Sequence, residues 1–139
     1  MIGITLDSNI YISALIFGGK PLRILEMGID GRADIAVSEE ILQETLGIMR
    51  HKFKLPEERI AQARQYIEAA TRRVSPTESV NVVSDPPDNR ILECAQAAGS
   101  EFIITGDQHL LRLGKLGEVW IVKPSEYLQY GEEEPGIPR

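Results

Sequence analysis

The sequence predicts an α/β fold: a three-layer sandwich with a central, mostly parallel sheet of about five strands, covered by helices on both faces. The main observation is that short β-branched runs alternate with longer segments whose apolar residues recur at helical spacing. The chain also has 139 residues, 42% hydrophobic and 26% charged, which is typical of one globular domain. Because no repeat or linker interrupts the pattern, we expect one domain over residues 1–130. The segment 131–139, with its Pro, Gly and Glu, predicts a flexible tail.

The first half of the chain predicts two strands and four helices. Each strand is short and apolar, and each helix begins near a capping residue or a proline suited to a first turn. The predicted strands are 2–6 and 34–37. The predicted helices are 7 to about 15, about 21–29, about 39–53 and 56 to about 70.

The second half predicts three more strands and shorter helices. Residues 80–83 predict a third strand, followed by a Pro-Pro turn in which Asp88 can cap a helix over about 89–98. The remaining predicted elements are a strand at 102–105, a short helix around 110, a strand at 119–122 and a last helical turn or two within 125–130.

Net charge and cysteine content limit which partners and which cellular compartment we expect for the protein. The net charge of −6 argues against a protein that coats nucleic acid by charge neutralisation. If several carboxylates hold divalent cations at one site, however, the net charge of the sequence overstates the negative field that a phosphate meets there. One cysteine and no signal peptide predict a cytoplasmic protein. Since no apolar run approaches the ~20 residues needed to cross a bilayer, we expect no membrane association.

Carboxylates follow three of the predicted strands directly. Asp7 follows the first strand, Asp85 and Asp88 the third, and Asp107 the fourth, while Glu44 lies on the helix after the second. Because ligands of parallel α/β sheets bind at the carboxyl ends of the strands, these acids are expected to converge. Taken singly, an acid at these positions is more simply explained as a helix cap, a turn residue or a solvated side chain.

The set of acids favours a metal site. Crowded carboxylates repel one another unless they are protonated or bound to a cation, and oxygen ligands without a Cys or His cluster indicate Mg²⁺ or Mn²⁺. His51 is interpreted as a surface residue and His109 as a local helix residue, both without a metal role. Cys94 lies in an apolar helix and is interpreted as a packed thiol. The chain contains no glycine-rich phosphate loop and no Gly-x-Ser-x-Gly elbow.

Four ordered segments carry a resemblance to a known family. They are LDSNIYISAL at 6–15, VSEEILQETL at 37–46, DPPDNRILECA at 85–95 and ITGDQHLL at 104–111. With these segments the sequence resembles the PIN domain family, small metal-dependent ribonucleases that include VapC-like toxins of toxin–antitoxin pairs. The resemblance implies an endoribonuclease with RNA as substrate, Mg²⁺ or Mn²⁺ as cofactor, an antitoxin protein as partner, and a homodimer.

The resemblance also implies roles for individual residues. It assigns the acidic quartet that holds metal and carries catalysis to Asp7, Glu44, Asp88 and Asp107. Supporting roles are implied for Ser8 or Asn9 beside the first acid and for Thr105 beside the last. Either Asp85 or Asp88 can be the acid nearer the metal, and the spacing to the following apolar pair favours Asp88.

Basic residues near helix ends are candidates for contact with RNA. Arg90, two residues beyond Asp88, is the preferred candidate, and Arg50 and Lys52 belong to the densest basic cluster. Complementing a helix dipole explains the cluster equally well.

Two other functions remain open from the sequence. One is a receiver-like domain in which Mg²⁺ assists phosphorylation of an aspartate, with Lys123 after the fifth strand as the phosphoryl contact. The other is a non-catalytic RNA-binding or protein-binding scaffold of the same fold, which the acidic net charge would suit.

Overall fold

The computed structural model describes residues 1–133 and contains one mixed sheet in that part of the chain. Its strands are β1 (Ile2–Leu6), β2 (Ala33–Val37), β3 (Thr71–Arg73), β4 (Phe102–Ile104), β5 (Lys115–Leu116) and β6 (Val119–Val122). The helices are α1 (Ser8–Phe17), α2 (Gly19–Ile29), α3 (Glu39–His51), α4 (Glu57–Ala70), α5 (Pro86–Ala98), α6 (Gln108–Leu113) and α7 (Pro124–Glu133).

The strand order β3-β2-β1-β4-β6-β5 places β1 in the middle of the sheet. All pairs are parallel except β5 with β6. Leu6, the last residue of β1, lies opposite Ile104, the last residue of β4. The carboxyl ends of these two strands therefore meet at one edge of the sheet, and the residues that follow them start close together.

The core surrounds β1, as expected for a strand covered on both faces. Ile4, Thr5 and Leu6 are fully buried, and the Thr5 hydroxyl shares a 2.9 Å hydrogen bond with the Ser100 hydroxyl, so the one polar side chain in this run is satisfied. The predicted α/β architecture, with a mostly parallel sheet between helices, is confirmed.

The third strand predicted at 80–83 is wrong. Those residues form no strand, and their backbone groups bond to side chains of α5 instead: Asn89 Oδ1 accepts from the N–H groups of Val82 and Val83, and Glu93 Oε2 accepts from that of Val80. The strand that extends the sheet beyond β2 is β3, which follows α4 directly.

The boundaries of several elements also differ from the prediction. Helix α5 begins three residues earlier than predicted, at Pro86, with Asp85 as its N-cap residue. The predicted cap, Asp88, therefore lies in the first turn and does not cap the helix. The two-residue strand β5 was not predicted. Helix α7 extends to Glu133, three residues into the segment predicted as a tail, and residues 134–139 lie outside the described part of the chain.

Within residues 1–133, no helix combines the length and apolar character needed to span a membrane.

Candidate active site

Asp7 connects the end of β1 to the start of α1. Its side chain is only 5% exposed, and its backbone N–H donates to the Ile104 carbonyl at 3.0 Å. Oδ1 accepts from the Asn9 N–H at 3.4 Å, and Oδ2 accepts from the Thr105 hydroxyl at 2.6 Å. Asp7 is thus an N-cap, as the sequence allowed, but a neighbouring strand end also fixes its second oxygen.

Thr105 joins the first and last acids of the predicted quartet. Its side chain is fully buried, and Oγ1 donates to Asp7 while accepting from the backbone N–H of Asp107 at 2.9 Å. Asp107 Oδ1 in turn accepts from the His109 N–H at 2.9 Å and caps α6. A single hydroxyl therefore sets the spacing between the two aspartates.

Ser8 holds Glu44 beside the first aspartate. The buried Ser8 hydroxyl donates to Glu44 Oε2 at 2.8 Å, across the junction of α1 and α3. The pKa of Asp7 is raised mainly by burial, and the negative charge of Glu44 contributes to the increase. Of the two predicted supporting residues, Ser8 acts through its side chain, and Asn9 contacts Asp7 through its backbone.

Asp88 completes the group of acids from α5. It is 5% exposed, and its Oδ2 is buried without a hydrogen-bond donor among the described residues. The pKa of Asp88 is raised to about 7, mainly by burial and in addition by the nearby carboxyl groups of Asp107, Asp85 and Asp7. Asp85 itself is exposed at the helix start.

The chemistry of these side chains is that of ligands for a hard divalent cation. Burial and neighbouring carboxyl groups raise the pKa values of Asp7 and Asp88, and a cation bound between the carboxylates would offset their charge. Across residues 1–133, no three Asp, Glu, His or Cys side chains already surround one metal position. The carboxylates would therefore have to close around an ion when it binds.

The predicted RNA-contacting residues have structural partners. Arg50 makes two hydrogen bonds to Glu57, at 2.7 and 3.0 Å, and Lys52 lies over the Phe53 ring. Arg90, the preferred candidate, donates to Glu93 at 2.9 Å. Each of the three cations thus has a partner within the protein, and Arg50 links α3 to α4.

Comparison with known proteins identifies the family. A family model described as "PIN domain" matches residues 4–109. The chain belongs to the PIN domain family. The four acids of the predicted quartet all lie within the matched residues. Family membership favours the nuclease interpretation over the receiver-like one.

A solved structure shares the fold of this PIN domain. It is the crystal structure of VapBC2 from Rickettsia felis bound to a DNA fragment from their promoter, with a TM-score of 0.64 and 14% sequence identity. The match covers 88% of this chain and 98% of that chain. At this identity the likeness establishes the fold. No match is found among curated protein sequences.

The PIN domain has a cavity of about 490 Å³ beside the acids, lined by Val83, Ser84, Asp85, Asp88, His109 and Arg112. Arg112 is not among the basic residues predicted from the sequence, because it neither belongs to a basic cluster nor closely follows an acid. A usable signal was present: His109 and Arg112 are three residues apart on α6, hence on one face, and Asp107 caps that helix.

Proposed function

We propose that this PIN domain is a Mg²⁺- or Mn²⁺-dependent endoribonuclease that hydrolyses RNA phosphodiester bonds. The observation that carries the proposal is the gathering of Asp7, Glu44, Asp88 and Asp107 from four elements at one sheet edge, with a buried Asp88 oxygen that has no donor among the described residues. Family membership supports a nuclease, and the chemistry of the acids supports a metal-dependent one.

The chain's own residues have distinct tasks in this proposal. When bound, the metal would polarise the scissile phosphate and lower the pKa of a water. Asp7, Asp88, Asp107 and Glu44 would hold it. Thr105 fixes the spacing of Asp7 and Asp107, and Ser8 orients the Glu44 carboxylate. Without metal, the Asp88 carboxyl group, whose pKa is about 7, is partly protonated at neutral pH.

RNA cleavage tests the proposal. We expect the purified protein to cleave RNA with Mg²⁺ or Mn²⁺ and to lose the activity in EDTA and in Asp7→Asn and Asp107→Asn. Asp30→Asn is the matched control, because it removes the same charge from an exposed residue that pairs with Arg32 at 3.0 Å. Full activity of both active-site variants would overturn the assignment.

We further propose that the protein is the toxin of a toxin–antitoxin pair and works in the cytoplasm as a homodimer. The support is the likeness in fold to a VapBC complex. Induced expression should arrest growth, Asp7→Asn should not, and coexpression of a small protein encoded next to this gene should restore growth. Normal growth with active wild-type enzyme would indicate an RNA-processing role instead. Light scattering of the purified protein tests the dimer.

A further inference from the structure

The cavity beside the acids is lined by residues of two different chemical kinds. Asp85 and Asp88, from the start of α5, are acidic, and His109 and Arg112, three residues apart on α6, are an aromatic residue and a cation. Since Asp88 belongs to both the cavity and the proposed metal site, the cavity is continuous with the place where a scissile phosphate would lie.

Arg112 differs from most arginines of the chain. Six others form ion pairs with carboxylates; they are Arg32, Arg50, Arg64, Arg72, Arg73 and Arg90. Arg112 is exposed and forms no ion pair with a carboxylate among the side chains that the structure describes, residues 1–130, although Asp85 and Asp88 line the same cavity. A guanidinium group without an ion-pair partner, facing a cavity, is suited to bind the two oxygens of a phosphate.

His109 adds an aromatic surface to the same cavity. Its backbone N–H is bonded to Asp107, but its imidazole is exposed and lines the cavity. An aromatic ring next to a cation is the combination on which unpaired bases stack while their phosphates are neutralised. A base inside a duplex could not enter such a cavity without leaving its stack.

We propose that this cavity is the subsite for one unpaired nucleotide next to the scissile phosphate, with Arg112 binding the phosphate of that nucleotide and His109 stacking on its base. The volume of about 490 Å³ lies in the range of small-ligand sites, roughly 300–1,000 Å³, and suits one nucleotide. The inference rests on the proposed ribonuclease function and names two residues, Arg112 and His109, that bind one nucleotide of its substrate.

Steady-state cleavage of a short single-stranded RNA tests the role of Arg112. Arg112→Ala should raise KM about tenfold or more and change kcat by less than about twofold, because it removes a charge-assisted contact made equally before and during reaction. The slope of log(kcat/KM) against log salt concentration should become shallower by about 0.7, the value for one phosphate contact on a single strand.

Arg59→Ala is the matched control. Arg59 is also exposed, loses the same charge, and lines a separate groove with Leu15, Met49 and Tyr66. Its KM and salt slope should equal those of the wild type. For His109, Phe should preserve KM because it retains a ring, and Ala should raise it.

A substrate with one neutral methylphosphonate locates the contact. When the methylphosphonate replaces the phosphate flanking the cleavage site, the KM of Arg112→Ala and of the wild type should converge; at a distant phosphate the difference should persist. Equal KM values for Arg112→Ala and Arg59→Ala, with an active wild type, would overturn the subsite alone. RNA left uncleaved by the wild type would instead overturn the proposed function.

Discussion

The Asp88 carboxyl group binds a proton far more strongly in the folded protein than in an unfolded chain. Its folded pKa is about 7, raised by burial and by the neighbouring carboxylates, whereas an unfolded aspartate titrates near about 3.9. Between these values the metal-free folded state binds the additional proton, so the free energy of unfolding decreases as pH rises. The raised pKa of Asp7 acts in the same direction.

Asp88→Asn should therefore stabilise the metal-free protein at pH 8 and flatten the dependence of its stability on pH between about 4 and 7. Urea unfolding in EDTA at several pH values measures both effects. Asp30→Asn should retain the wild-type slope. A slope unchanged in Asp88→Asn would show that this carboxyl group does not carry the effect.

At Thr105, substitutions can separate the role of the hydroxyl group from that of the side-chain shape. Thr105→Val keeps the shape of the side chain but leaves Asp7 Oδ2 and the Asp107 N–H without their partner, which should cost about 1–3 kcal/mol of stability. It should also raise the pKa of Asp7, since a bond that lowers that pKa is lost. Thr105→Ser retains the hydroxyl but loses a buried methyl group, so it should cleave like the wild type while its thermal stability falls somewhat; loss of activity in both variants would contradict this role.

At the scale of elements, α2 lies close to the end of α4 and to β2 at Gly28. A Cβ atom there would lie 2.3 Å from the Ala70 carbonyl oxygen and 2.6 Å from Ile35 Cδ1. The first contact is with backbone at the end of α4, where β3 begins, and so cannot be relieved by a side-chain rotation. The glycine thus allows α2 to pack against α4 and β2.

Gly28→Ala should destabilise the protein by about 1–3 kcal/mol, because the clash outweighs the gain in helix propensity. Gly47→Ala provides the control: Gly47 lies within α3, nothing lies within 4 Å of its added Cβ, and the same substitution should stabilise by about 0.5–1 kcal/mol. Thermal unfolding measures both variants, and equal shifts would contradict the packing argument.

The elements also show which sequence patterns were enough to predict a strand. Ile2–Leu6 was predictable because a short, buried, β-branched run has few other interpretations. The run at 80–83 looked similar, but the bonds that decide its conformation come from Asn89 and Glu93 on the following helix, and the local pattern contains no sign of them. Of these two runs, local propensity therefore predicted the first correctly and the second wrongly.

At the scale of the molecule, binding of a cation at the acids should stabilise the whole fold. Because protons compete for carboxylates of raised pKa, Mg²⁺ should raise the melting temperature more at pH 8 than at pH 5. Differential scanning fluorimetry with and without Mg²⁺ measures this, and Asp88→Asn should reduce the effect at pH 8. Equal shifts at both pH values would indicate a binding site elsewhere.

The candidate site was predictable as a set for a reason that concerns the whole sheet. Parallel strands bring their carboxyl ends to one edge, so the acids after β1 and β4 were expected at the same edge. They are neighbours because β1 pairs with β4, an order of strands that the sequence did not predict. The bridging role of Thr105, and the lack of an ion pair for Arg112 among the described side chains, depend on side-chain positions and on partners distant in sequence, which spacing does not reveal.

The central position of β1 also determines when the acids can assemble during translation. Asp7 obtains its hydroxyl partner from Thr105 and its backbone acceptor from Ile104, so its surroundings are incomplete until almost a hundred further residues have been added. During synthesis, Asp7 is therefore part of the growing chain long before Asp107 is added. The growing polypeptide cannot present the assembled acids to the messenger RNA that encodes it until Asp107 has emerged.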